Sequence, residues 1–180
     1  MNKTRAHEDK KSGLPRKFFS WWPFLFFSAI LIALDQWLKI WSSANLAGQP
    51  RRAVVDGVLG LTYFHNRGAA FGLLSDREWG RWVITVLVIV LLAGVAWYYG
   101  RLPTERKLWW VRAPLILIFA GGLGNLIDRF RLGYVVDMLE FLFVNFAIFN
   151  LADVFVTVGA FSMVLVVMLM GKKAPWPFGG

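Results

Sequence analysis

Between residues 121 and 153 the chain reads GGLGNLIDRFRLGYVVDMLEFLFVNFAIFNLAD. The stretch is strongly apolar, yet it carries Asn125, Asp128, Arg129, Asp137, Asn150 and Asp153. A charge at the centre of a membrane helix costs roughly 2.5–3.5 kcal/mol on insertion scales, and less near a helix end. Six polar or ionisable groups set between two apolar spans therefore ask for a chemical reason. They predict a site built on carboxylates at a membrane surface.

The rest of the composition supports a membrane setting. The chain has 180 residues, a length that suits one compact unit. It is 57% hydrophobic, above the roughly 45–50% of soluble domains. The apolar residues fall in runs near twenty long, the length that crosses a bilayer. A net charge of +9 raises the question of nucleic acid. The basic residues bracket the apolar runs instead of forming a stripe, so they read as anchors for span ends and not as a nucleic-acid surface. Cysteine is absent, which excludes disulfides, thiolate metal sites and a cysteine nucleophile. Histidine occurs only at positions 7 and 65, and H-E-x-x-H is missing, so no zinc peptidase site is expected. The sequence calls for no cofactor and no metal.

Four spans are predicted, at about 20–41, 82–99, 113–129 and 149–170, inside a membrane domain of residues 20–171. Residues 1–19 form a basic tail and residues 172–180 a second tail. The first span is interrupted by Asp35, Gln36 and Lys39, where a cleaved signal peptide stays apolar. Residues 43–65 are not a span: β-branched and aromatic residues flank Asp56-Gly57, a hairpin signal. The Asn66-Arg-Gly-Ala-Ala-Phe-Gly72 segment follows, its small residues permitting close backbone approach. Pro114 opens the third span, which has a glycine-rich packing face. Twelve Lys and Arg lie in the two tails and the 100–112 loop, against eight elsewhere. Both termini are therefore expected in the cytoplasm, with the hairpin, the 66–72 segment and the 128–150 loop on the outer face.

Asp35 and Lys39 are one helical turn apart and read first as an ion pair easing two charges into a span end. Asn125 and Asp128 share a helix face, as do Asn150 and Asp153, so each amide can orient its acid. Asn150 also reads as a plain N-cap. Arg129 reads as the partner of Asp128 or as a lipid-phosphate anchor. Asp137, in Tyr-Val-Val-Asp-Met-Leu, is expected to have a raised pKa from desolvation. Asp153, in a first helical turn, is expected to favour its ionised form. If the two approach, one is an acid that polarises a carbonyl and the other a base that activates water. Spacing alone does not bring them together.

Five blocks then carry a resemblance. They are Asp35-Gln-Trp-Leu-Lys39, Asn66-Arg-Gly-Ala-Ala-Phe-Gly72, Gly121-Gly-Leu-Gly-Asn-Leu-Ile-Asp-Arg129, Val135-Val-Asp137 and Phe149-Asn-Leu-Ala-Asp153. Each is weak alone; in this order on four spans, over residues 20–170, the chain resembles lipoprotein signal peptidase (signal peptidase II). That family implies an all-α membrane protein with four transmembrane helices, a small extracytoplasmic β-cradle and a short periplasmic helix. It implies an aspartic endopeptidase of the bacterial inner membrane, active at the periplasmic face. The expected substrate is a diacylglyceryl-modified prolipoprotein, cut before the lipid-bearing cysteine. By the matched blocks, Asp137 and Asp153 are the implied catalytic pair. Asp35, Lys39, Asn66, Gly68, Asn125, Asp128, Arg129 and Asn150 are the implied supporting positions. Membrane lipids are expected contacts, and the protein is expected to act as a monomer. Leu123 and Gly72 depart from the residues common in the family, without touching the chemistry. Two rival readings are a proton-conducting transporter and a membrane scaffold. Against the first, no internal repeat is visible and the second span has no ionisable residue. Against the second, the test is substitution of both Asp137 and Asp153, which a scaffold tolerates.

Overall fold

A computed structural model of the chain describes residues 13–68, 78–103 and 108–170. Its helices are α1 (Gly13–Asn45), α2 (Glu78–Arg101), α3 (Trp109–Arg131) and α4 (Leu151–Met170). Its strands are β1 (Arg52–Val55), β2 (Leu59–Asn66) and β3 (Val135–Phe141). All four helices are long and apolar enough to cross a membrane, since twenty residues at 1.5 Å each span about 30 Å. Large apolar side chains such as Leu25, Ile30, Leu87, Val90 and Leu169 are exposed along them. In water such a surface is anomalous, whereas in lipid it is the solvated face.

Helix α3 lies at the centre, in contact with α1, α2 and α4. Its glycines set the closest approach. A Cβ added at Gly121 would collide with the carbonyl oxygen of Ala152, and one at Gly124 would lie 2.6 Å from Asp35 Oδ2. Any larger residue there would force α4 and α1 outward, which is the small-residue logic of helix packing in lipid. The first three spans run longer than expected, α1 and α2 at both ends and α3 from Trp109, with Pro114 inside the helix, whereas α4 begins at Leu151 and not at 149.

The strands form one antiparallel sheet in the order β1-β2-β3. Gly57, at φ 69°, makes the β1–β2 turn where a side chain is disfavoured. The third strand was not foreseen. Residues 128–150, expected as an extracytoplasmic loop, contain β3, which pairs His65 with Val136 and Phe64 with Asp137. Val136 and Met138 pack with Leu46 beneath one face of the sheet, and Asp137 therefore points to the other face. At the opposite end of the bundle Phe24, Tyr99, Leu102, Val111, Leu115 and Ile116 form an apolar core. Residues 1–12, 69–77, 104–107 and 171–180 lie outside the described residues. They include most of both tails and the later part of the 66–72 block. The short periplasmic helix is not among the elements of the described residues.

Candidate active site

Three elements converge where the sheet meets the bundle. Asp137 comes from β3, Asp153 from the first turn of α4, and Asn125 from the last third of α3. Asn150 precedes α4 and ties them together. Its side-chain oxygen accepts the backbone N–H of Asp153 at 3.0 Å, while Asp153 Oδ2 accepts the N–H of Asn150 at 3.1 Å. This is a reciprocal capping box, so the Asn-x-x-Asp spacing both starts the helix and fixes the carboxylate. Asn150 Nδ2 donates to Asp137 Oδ1 at 2.6 Å and to Asn125 Oδ1 at 3.1 Å. Asn125 Nδ2 donates to Asp153 Oδ1 at 2.7 Å. The second oxygen of Asp137 accepts from Asn66 Nδ2 at 2.9 Å, and Asn66 Oδ1 accepts the backbone N–H of Gly68 at 3.0 Å.

Asp137 is almost fully buried. Burial first, and the Asp153 charge second, push its pKa up from 3.8 to about 7, against the lowering effect of the two amide donors. The group is thus poised to hold a proton near neutrality, as expected from its apolar sequence context.

Behind the pair lies a second cluster. Lys39 Nζ is 2.9 Å from Asp35 Oδ2 and 3.1 Å from Asp128 Oδ2, with all three side chains buried. The Asp35–Lys39 ion pair read from the sequence is present, and it has a third member. Asp35 Oδ1 accepts the backbone N–H of Ala152 at 3.0 Å, and Asp128 Oδ2 that of Val136 at 3.1 Å. Gln36, unassigned from the sequence, donates to Asp128 Oδ1 at 3.0 Å and to the Gly124 carbonyl at 3.2 Å. Its signal was a third polar residue interrupting the first span.

Arg129 needs correction. It does not ion-pair with Asp128, which is held by Lys39, Gln36 and Val136; it makes long contacts to the carbonyl oxygens of Asn125 (3.4 Å) and Gly68 (3.5 Å). Neighbouring residues on a helix point about 100° apart, so sequence adjacency does not make a pair. A groove of about 370 Å³ lies on the Lys39 and Asp128 side, bordered by Gln36, Ile40, Ser43 and Arg131; neither Asp137 nor Asp153 lines it.

Comparison with known proteins gives a consistent result. Residues 27–169 match the family described as signal peptidase (SPase) II. The chain is 46% identical over 136 residues to the lipoprotein signal peptidase of Streptococcus thermophilus (strain CNRZ 1066), covering 76% of this chain and 86% of that protein. The same identity and coverage hold for the lipoprotein signal peptidase of Streptococcus pyogenes serotype M5 (strain Manfredo). A bacterial membrane enzyme solved by the in meso method at 2.3 Å superposes with TM-score 0.70 at 24% identity, covering 84% of this chain and 92% of that one. A second such structure, at 1.9 Å, gives TM-score 0.69 with 81% and 92% covered. The structural likeness carries the fold.

Proposed function

The chain belongs to the signal peptidase II family, and from that premise we propose that Asp137 and Asp153 are the pair that performs its hydrolysis. The protein is a multi-pass bacterial membrane aspartic peptidase that removes signal peptides from prolipoproteins. The observation that carries the proposed pair is Asn150, which caps Asp153 and gives a 2.6 Å hydrogen bond to Asp137, holding both acids at one point.

In the proposed reaction the pair shares one proton, resident on Asp137, whose pKa of about 7 favours the acid form. Asp153 takes a proton from water as the water oxygen attacks the scissile carbonyl carbon. Asp137 gives its proton to the carbonyl oxygen, so no free oxyanion forms. Asp153 then passes its proton to the amide nitrogen, the C–N bond breaks, and the hydroxyl proton of the intermediate returns to Asp137.

The finer reading concerns the substrate and the setting. We propose that the substrate is diacylglyceryl-modified and cut before the modified cysteine. Burying its acyl chains, at about 0.8 kcal/mol per CH₂, supplies much of the affinity. Asp153 sits at the start of α4 and Asp137 on the adjoining sheet, which suits a bond held at the membrane surface. The excess of Lys and Arg on the other side supports cytoplasmic termini and an extracytoplasmic site in the inner membrane. Membrane lipids surround the exposed helix faces, and the enzyme acts as a monomer. The test is a gel-shift cleavage assay on purified protein in detergent, with lipidated and unlipidated prolipoprotein. Cleavage of the lipidated form alone, lost in Asp153→Asn, supports the full reading. Equal cleavage of both forms removes the lipid requirement, and turnover by Asp153→Asn removes the pair.

A further inference from the structure

The Lys39 ammonium meets three acceptors: Asp35 Oδ2 at 2.9 Å, Asp128 Oδ2 at 3.1 Å and Asn125 Oδ1 at 2.9 Å. An ammonium has three N–H groups and no lone pair, so the Asn125 atom facing it must be the carbonyl oxygen. The Asn125 NH₂ is thereby turned to Asp153, 2.7 Å away. The same carbonyl oxygen accepts from Asn150, which fixes the Asn150 NH₂ and leaves its other hydrogen for Asp137. Asn150 is held at its own end by the backbone N–H of Asp153, which its side-chain oxygen accepts at 3.0 Å, so the amide that depends on the cation is Asn125. A turned Asn125 would aim its carbonyl oxygen at the Asp153 carboxylate and its NH₂ at that of Asn150, two repulsive contacts that the ammonium opposes.

The carboxylates that hold Lys39 act on the same two points. Asp35 binds the backbone N–H of Ala152, the residue before Asp153, and Asp128 binds that of Val136, the residue before Asp137. One ammonium thus joins the supports of both strands of chemistry.

We infer that Lys39 is a positioning residue which holds the Asn125 amide with its oxygen inward, so that Asp153 receives the Asn125 N–H. The inference rests on the Asp137–Asp153 reading above. Among the described residues, the charged groups around this amide are Asp35 and Lys39 on α1, Asp128 and Arg129 on α3, Asp137 on β3 and Asp153 on α4.

Asn125→Asp tests it. A carboxyl there still accepts from Lys39 and Asn150, but it donates to Asp153 only when protonated. Relative to wild type, its turnover of lipidated prolipoprotein should fall about 100-fold near pH 8 and recover at least tenfold by about pH 5. Asn125→Ala, without a donor at any pH, should stay low throughout. A constant ratio between the two variants across that range overturns the inference. Lys39→Gln, whose amide can present either end, should lose about 10–100-fold in kcat with KM within about twofold, as for other residues that orient a reacting group. Full kcat in folded Lys39→Gln also overturns it; if that variant does not fold, the Asn125 pair decides. Asp137→Asn and Asp153→Asn run alongside as controls. Turnover surviving in either would mean that the pair reading has failed, separately from the Lys39 inference.

Discussion

The two ends of this helix bundle are built on different principles from the same helices. At the far end Phe24, Tyr99, Leu115 and Ile116 pack by shape, with ring contacts such as Phe24–Tyr99 at a centroid distance of 4.5 Å. At the sheet end the buried groups are Asp35, Lys39, Asp128, Asp137 and Asn150, and they fit by counting donors against acceptors. A packed apolar core adjusts by small shifts of many weak contacts. A buried polar cluster has no such latitude, because each lost partner leaves a desolvated group behind. The far end should therefore be forgiving and the sheet end brittle.

The sharpest test exchanges single atoms at constant shape. Asp137→Asn and Asp153→Asn each replace one oxygen by nitrogen and should lower turnover by on the order of 10³-fold or more, measured by cleavage of lipidated prolipoprotein by protein that still elutes as a folded species. At the far end Tyr99→Phe removes the hydroxyl that accepts from Arg112 Nη1 at 3.1 Å, and turnover should stay within about twofold. A large catalytic loss in Tyr99→Phe would break the comparison.

Stability should divide the same way. Asp128→Ala strips Lys39, Gln36 and the Val136 N–H of a partner at once, and should cost about 3–5 kcal/mol. Leu115→Ala removes a side chain of similar burial. Lipid tails are as apolar as the core, so mainly the packing loss remains, about 1–2 kcal/mol. Unfolding in mixed micelles followed by circular dichroism measures both. A larger loss in Leu115→Ala would reverse the assignment of which end is brittle.

The difference also explains what the sequence made legible. The spans were visible because an apolar run near twenty residues long has few soluble explanations. The Asn150/Asp153 pair was visible because its spacing is that of a helix cap and the first turn. Asn125, expected to orient Asp128, turns instead to Asp153 and Lys39, while Asp128 binds Lys39, Gln36 and the Val136 N–H. Strand β3 was not visible, since Val135 to Phe141 carries its charges at Asp137 and Glu140, three apart, and shows no period-two alternation. The Lys39–Asp128 pair was hidden for another reason: its partners lie on different helices, and no local spacing reports a contact made by packing α1 on α3. For Arg129 the neighbouring aspartate was simply on the wrong face.

A smaller effect comes from pH. The Asp137 carboxyl, raised to about 7, keeps its proton at a pH where the unfolded chain, at 3.8, has released it. If that proton is the acid of the reaction, kcat is present below about pH 7 and falls as pH rises through it. The folded state binds the extra proton between those two values, so stability falls as pH rises across that window. Asp137→Asn should flatten that slope, seen in melting temperatures at stepped pH. A slope unchanged in Asp137→Asn would place the titrating group elsewhere.

The finest discriminator is one methyl group placed at each end. An added Cβ at Gly124 meets Asp35 Oδ2 at 2.6 Å, and one at Gly100 meets Trp21 Cζ2 at 2.7 Å. The clashes are nearly equal, so their consequences depend on what can move. The Asp35 carboxylate is held by Lys39 and by the Ala152 N–H, and shifting it loosens both. The Trp21 ring is only half-buried, and its outer edge can swing aside. Gly100→Ala also gains helix propensity of about 0.8–1.0 kcal/mol, so its net effect should lie within about 1 kcal/mol of wild type. Gly124→Ala should cost more than that and lower kcat as well, because the displaced carboxylate holds the residue beside Asp153. Equal melting temperatures for the two variants would mean that the polar cluster adjusts as readily as the rings do, and the contrast between the ends would then be one of composition only.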